Sequence, residues 1–258
     1  MLEKIGLGAF VLAAAISPLA AQWLNLKDDI PRNKDGSPNL TAAAPHLADG
    51  RPDLAGLWVA RPPKTADATE GLPAGTVELT AAGQAVFDER KDDKMAWAEP
   101  DANCLPQGIP KIHLIPGIFK VIQQPGLIVF LYETGGQFRQ LFMDGRPLPA
   151  DPNPQWYGYA IAKWDGDTLV VESSGFNGKA WLDRAGHPSS EALRTTERFR
   201  RIDFGHMEMK VTIDDPMMYR KPWTITQSIV LESDTDLLQD VCENNKDLPH
   251  LHNLGKSK

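Results

Sequence analysis

The sequence predicts an all-β fold, an antiparallel meander that closes on itself, and three observations carry the prediction. Beyond Pro116, stretches rich in β-branched and aromatic residues follow one another at 119–124, 127–133, 137–143, 157–164, 168–173, 194–203, 206–213 and 223–231. Turn chemistry separates them, at Pro125-Gly126, Gly135-Gly136, Asp144-Gly145, Asp165-Gly166-Asp167 and Phe204-Gly205. The third observation is how little helix intervenes, which favours a sandwich or closed barrel over a parallel sheet.

Taken in order, residues 1–21 read as a signal peptide. Lys4 precedes an apolar run from Ile5 to Ile16, and small residues lead to Ala20 and Ala21. The run is shorter than the ~20 residues of a membrane span, so cleavage and export to the periplasm or exterior are expected, with no stable membrane insertion afterwards. Residues 22–63 read as an extended arm, rich from Asp28 in Pro, Asp, Asn and Gly, in which Lys34-Asp-Gly-Ser-Pro-Asn-Leu is echoed by Ala48-Asp-Gly-Arg-Pro-Asp-Leu. It enters the fold at 54–59, where Gly56-Leu57-Trp58 resembles the opening of lipocalin-type barrels. Residues 64–258 are then expected to form a single lipocalin-like β-barrel domain with a C-terminal tail. The one helix is expected over 80–97, capped by Thr80, with Val86, Met95 and the alanines as its apolar stripe. The polar insertion at 175–192 is the expected lid.

At 258 residues, with 42% hydrophobic content, one core suffices. The net charge of -7 argues against nucleic acid as a partner. The basic run Glu197-Arg-Phe-Arg-Arg201 reads as a solvated outer strand face. Two cysteines in an exported chain, Cys104 and Cys242, are expected to form a disulfide, the alternative being two buried thiols.

Along 193–200, Leu193, Thr195, Glu197 and Phe199 share the more apolar face, opposite Arg194, Thr196, Arg198 and Arg200. A carboxylate there must be paired with an Arg or have its pKa raised. Glu197 is therefore the leading candidate for a site. Asp183 and His187 come from the adjoining insertion, and a barrel mouth that gathered all three would supply a general acid or base. Tyr132, Glu133 and Arg139 flank the Gly135-Gly136 hairpin. Arg139 either bridges to Glu133 or steadies an oxyanion with Tyr132 as proton donor. Trp156, Tyr157, Tyr159 and Trp181 are the expected binding surface for an aromatic or lipid-like ligand, and Met207 and Met209 are core or ligand contacts. His250 and His252 are too few for a metal clip and read as solvated. Without a dinucleotide, Walker, Gly-x-Ser-x-Gly or His-Glu-x-x-His pattern, neither cofactor nor metal is expected.

Trp164-Asp-Gly-Asp-Thr-Leu-Val-Val-Glu-Ser-Ser-Gly-Phe-Asn177, with Asp49-Gly-Arg-Pro-Asp-Leu-Ala-Gly-Leu-Trp58, Glu197-Arg-Phe-Arg200 and Cys242-Glu-Asn-Asn245, resembles a large family of uncharacterised exported bacterial β-rich proteins. The resemblance covers most of the mature chain. It implies a secreted barrel with a disulfide and names no activity. Members of that family usually carry Gly-His-Ser where this chain has Gly158-Tyr159-Ala160, so any chemistry of that His is absent here or taken over by Tyr159.

The function expected is acid/base chemistry of the lyase, isomerase or hydrolase type on a small hydrophobic or aromatic compound. Glu197 acts as acid or base, Asp183 and His187 assist, and Arg139 steadies negative charge. The alternative is a lipocalin-like carrier that binds such a compound without chemistry.

Overall fold

Alternation along each strand sorts side chains between the inside and the outside of one closed sheet. The structure, a computed structural model, describes residues 29–242. The leader at 1–21, the start of the arm and the His250/His252 tail lie outside the described residues. Nine strands form a closed barrel in chain order. They are β1 Gly56–Ala60, β2 Phe119–Gln124, β3 Leu127–Tyr132, β4 Gln137–Phe142, β5 Tyr159–Asp165, β6 Thr168–Ser174, β7 Arg194–Arg201, β8 His206–Asp214 and β9 Trp223–Leu231. The barrel closes through β1 and β9, at Trp58↔Leu231 and Ala60↔Ile229.

All neighbouring pairs are antiparallel except β4 and β5, which run parallel through Leu141↔Ala160 and Phe142↔Ile161. This corrects the uninterrupted antiparallel meander. Residues 143–158 are long enough to carry the chain back along the barrel before β5 begins, as a parallel neighbour requires.

The inner face of β7 carries Thr195, Glu197, Phe199 and Arg201, while Arg194, Arg198 and Arg200 are exposed. The basic run is thus solvated except at Arg201, whose parity turns it inward. Met207 and Met209 on β8 are core, joined by Val211, Ile213, Trp223, Ile225 and Ile229. Trp58 is fully buried at one end of the barrel, where its Nε1–H donates to the Leu54 carbonyl at 2.9 Å.

The arm repeats one turn twice, as its sequence echo implies. Asn33 N–H donates to Ser37 O and Leu47 N–H to Arg51 O, both at 2.8 Å, and Asp35 and Asp49 each accept from the backbone N–H two residues on. The arm lies on the barrel through Phe204 N–H to Ala42 O and Gly205 N–H to Leu40 O.

The single α-helix among the described residues, α1, spans Ala81–Arg90. Thr80 caps it, its hydroxyl accepting from Gly83 N–H at 3.0 Å. The helix is shorter than 80–97 because Asp92 and Asp93 take left-handed φ values of 62° and 57°; a short 3-10 turn at Ala96–Ala98 follows. Its contact face is also not the Val86/Met95 stripe. Gly83 is the residue it buries, and Phe87 and Arg90, one and two turns on, reach the insertion by stacking on His187 and Trp181.

The insertion at 175–192 is not an open lid. Most of 180–190 is buried, and its polar groups are satisfied at short range: Ser189 Oγ donates to Ala180 O, and Asp215 accepts from the N–H and hydroxyl of Ser190. Cys104 and Cys242 form a disulfide with Cα atoms 5.6 Å apart, which fits an oxidising compartment. Among the described residues no helix is long and apolar enough to cross a membrane.

Candidate functional site

Glu197 sits where the alternation of β7 puts it, inside the barrel with no solvent exposure. A charge in that position needs a partner, and Arg139 on β4 supplies a two-pronged one. Arg139 Nη1 donates to Glu197 Oε1 at 3.0 Å, Nη2 pairs with Oε2, and Nη2 also donates to Ser173 Oγ on β6 at 2.8 Å. Burial, the largest single influence, raises the Glu197 carboxyl, but the Arg139 guanidinium and the His113 ring together outweigh it and hold Glu197 at about 2. Arg139 therefore does not bridge to Glu133, which instead accepts from Leu238 N–H at 3.2 Å.

The third member was not apparent from the sequence. Residues 107–115 are buried throughout, and their 3-10 turn Lys111–His113 delivers the His113 ring into the barrel among Phe119, Phe130, Tyr132 and Phe199. His113 Nδ1 lies 3.3 Å from Glu197 Oε1, off the line of a well-formed hydrogen bond. Its Nε2 lies 2.8 Å from the Tyr132 hydroxyl. Burial lowers the His113 pKa despite Glu197, so the ring is neutral near pH 7. A carboxylate only accepts, which puts the ring proton on Nδ1 and leaves Nε2 to accept from Tyr132 Oη–H. Burial, with Glu197 adding to it, raises the Tyr132 phenol well above its usual value.

Tyr132 connects this chain to a cavity. Its ring stacks on Tyr157 at 5.6 Å, and Tyr157 lines a cavity of about 250 Å³ beside the disulfide, with Leu105, Pro106, Gln107 and Gln137. Burial raises the Tyr157 phenol as well, while the Arg139 charge pulls it back. The Gln107 backbone also bears on that phenol, yet the hydroxyl makes no hydrogen bond of good geometry. Tyr157 Oη, Gln107 Oε1, Arg139 Nε and Thr195 Oγ1 are buried without a hydrogen-bond partner among the described residues.

The expected trio does not converge. Asp183 and His187 pair with each other, Nδ1 to Oδ2 at 2.6 Å, and Asp183 also accepts the N–H groups of Ala68, Gly186 and His187. These bonds fasten the insertion to the segment before α1, and neither residue shares a hydrogen bond or ion pair with Glu197. Asp67, Asp183 and His187 bring ligand-type atoms within 4.8 Å of one another, but both Asp183 oxygens are already engaged by donors.

The aromatic group also separates. Trp181 is buried under Arg90, whose guanidinium carbon lies 4.6 Å from its ring centroid, and Trp156 packs at the edge of the core. Tyr159 turns outward, stacked on Phe142 at 5.2 Å and accepting from Arg146 at 3.0 Å. Gly158 causes the split. Its φ of 63° breaks the alternation, so Tyr157 faces in and Tyr159 out, and a Cβ there would crowd Ser174 O at 2.7 Å.

No protein-family model matches the chain, and no curated protein matches it.

Proposed function

We propose that this protein is an exported enzyme, periplasmic or secreted, that works without a nucleotide cofactor and performs acid/base chemistry on a small hydrophobic or aromatic compound. The substrate would occupy the cavity beside the disulfide. Tyr157 meets it as proton donor, and Tyr132, His113, Glu197 and Arg139 form the positioning groups behind. The observation that supports this reading is that Tyr157 lines the cavity while its ring stacks on Tyr132, the outer member of a Tyr132–His113–Glu197 chain. A phenol kept protonated by burial is suited to giving a proton, and the Arg139 charge stabilises the phenolate that forms. In this reading Glu197 acts through His113, because its own oxygens are held by Arg139.

A carrier is the second reading, favoured by the tight Arg139–Glu197 pair, which stabilises a closed interior without needing a substrate. Incubating the purified protein with a metabolite extract and following masses separates the two. Turnover that falls about 10²- to 10⁴-fold in a folded Tyr157→Phe variant supports the enzyme. Compounds retained but unchanged in mass support the carrier, and undiminished turnover in Tyr157→Phe removes Tyr157 as the donor.

A further inference from the structure

The outer wall of the barrel is apolar where β2, β3 and β4 run side by side. β3 reads Leu-Ile-Val-Phe-Leu-Tyr, apolar or aromatic at every position, the pattern of a strand covered on both faces. Its inward residues Ile128, Phe130 and Tyr132 are buried, whereas Leu127, Val129 and Leu131 face out and are partly exposed. Strand register sets Ile122 beside Val129, Phe138 beside Leu131 and Phe142 beside Leu127, which widens the wall on both sides.

Two features of this wall fit one another. Phe138 is 63% exposed, more than any other large apolar side chain among the described residues, and stands out as a knob. Farther along β4, a groove of about 220 Å³ opens beside the short β4–β5 pairing, with Phe142, Ile161 and Val170 as its apolar lining. An apolar space of ~150 Å³ already holds a benzene ring. Phe138 does not reach its own groove, because the four residues from 138 to 142 separate knob and groove by roughly 13 Å along one face. In a second copy, turned about a two-fold axis passing close to Gln140, each Phe138 meets the other copy's groove.

Charge and area agree with such a partner. The chain has a net charge of -7, yet the outward positions of β2, β3 and β4 hold one charged residue, Lys120, and no carboxylate. Lys120 pairs with Asp236, and at the rim of the groove Arg146 pairs with Asp144 and Lys163 with Glu172. Two copies therefore approach on this wall without opposing carboxylates. Four strands at ~4.8 Å spacing and six residues at ~3.4 Å rise give a footprint of roughly 400 Å² per copy. With side-chain relief the pair would bury roughly 1,000 Å², the lower end for a specific interface and the size of a reversible dimer.

We infer that the β2–β4 wall is a dimer interface in which Phe138 of each copy enters the Phe142–Ile161–Val170 groove of the other.

Sedimentation velocity of the full chain tests this first, and the expected result is a monomer–dimer equilibrium with Kd in the micromolar range, roughly 1 to 100 μM. Phe138→Ala, a change at an exposed side chain, should weaken the dimer by at least about tenfold while leaving the thermal midpoint of the monomer unchanged. Gln140→Glu sets two new carboxylates against each other near the axis, so it should weaken the dimer in a way that added salt relieves. A photoreactive benzoylphenylalanine in place of Phe138, in an equal mixture of ordinary and nitrogen-15-labelled chains, locates the contact. Irradiation should join the two isotopic forms through peptides carrying Phe142, Ile161 or Val170. A monomer at every concentration overturns the inference, as does a dimer equally tight in Phe138→Ala and Gln140→Glu. Mixed-isotope crosslinks to other peptides would place the interface elsewhere. Crosslinks confined to one isotopic form, to residues 243–258 for example, would show that the chain covers its own wall.

Discussion

Arg139 and Glu197, 58 positions apart in sequence, meet inside the barrel with the guanidinium spanning both carboxylate oxygens, and neither side chain is more than 3% exposed. Removing one partner leaves the other as an uncompensated buried charge, which typically costs about 3–5 kcal/mol. Glu197→Leu and Arg139→Met are each expected to lower stability by that amount in urea unfolding. The double variant should recover most of the loss, since a packed apolar pair needs no desolvation. A double variant as unstable as the sum of the singles would show that the pair holds the barrel by more than mutual neutralisation.

Acid should weaken the fold through the same cluster. Against the upward push of burial, Arg139 and His113 together hold Glu197 at about 2, below the ordinary 4.5, and burial lowers His113 from 6.5. Both groups therefore bind protons more readily when unfolded. Their contributions are fully present above the ordinary values and are lost as pH falls, below 6.5 for His113 and between 4.5 and about 2 for Glu197. Urea midpoints measured from pH 7 to pH 2 should fall, and Glu197→Gln should flatten the part below 4.5. Parallel curves for the two proteins would contradict the depressed Glu197 carboxyl.

The strands, the Thr80 cap and the inward position of Glu197 were legible because each rests on local pattern: alternation, turn residues and a capping hydroxyl. The partner of Glu197 was not. Arg139 lies two strands before β6 in the chain but reaches Ser173 and Glu197 through the barrel interior, so nearness in sequence pointed wrongly to Glu133. His113 sits in Ile109-Pro-Lys-Ile-His-Leu-Ile-Pro116, a run with no strand or helix period. Its one signal was two polar residues embedded among apolar ones. Tyr157 and Tyr159 stand two apart, the spacing of one strand face, but the left-handed backbone of Gly158 between them resets the parity. Asp183 and His187 were drawn to Glu197 by their residue types, whereas the insertion had its own backbone donors to satisfy.

Packing should override helix propensity at Gly83. Alanine is the better helix former by about 1 kcal/mol, so an exposed glycine here would gain from the change. Gly83, however, faces the Met218 backbone, and a Cβ would fall inside the contact distance of the Met218 carbonyl oxygen. Gly83→Ala is expected to lower the thermal midpoint by pushing α1 off the barrel and loosening the Phe87–His187 stack. A raised midpoint would show that the helix can shift without cost.

Arg201 should decide how firmly the arm is held. Its guanidinium donates to the carbonyls of Asp53, Asp203 and Phe204, and its carbon lies 4.9 Å from the Trp58 ring centroid and 5.0 Å from that of Phe204. One element thereby ties the end of the arm, the β7–β8 turn and the closing tryptophan. Arg201→Met keeps much of the apolar contact but leaves those carbonyls without their donor. A hydrogen bond to a charged group contributes roughly 1.5–3 kcal/mol. Losing the one to Asp53 should therefore raise the open fraction of the arm by about tenfold or more. Limited proteolysis of the full chain is then expected to cut within 29–55 correspondingly faster in the variant, while the barrel fragment persists. The pairs Phe204 N–H to Ala42 O and Gly205 N–H to Leu40 O remain in that variant. Cleavage at the wild-type rate would assign the docking of the arm to those backbone bonds rather than to Arg201.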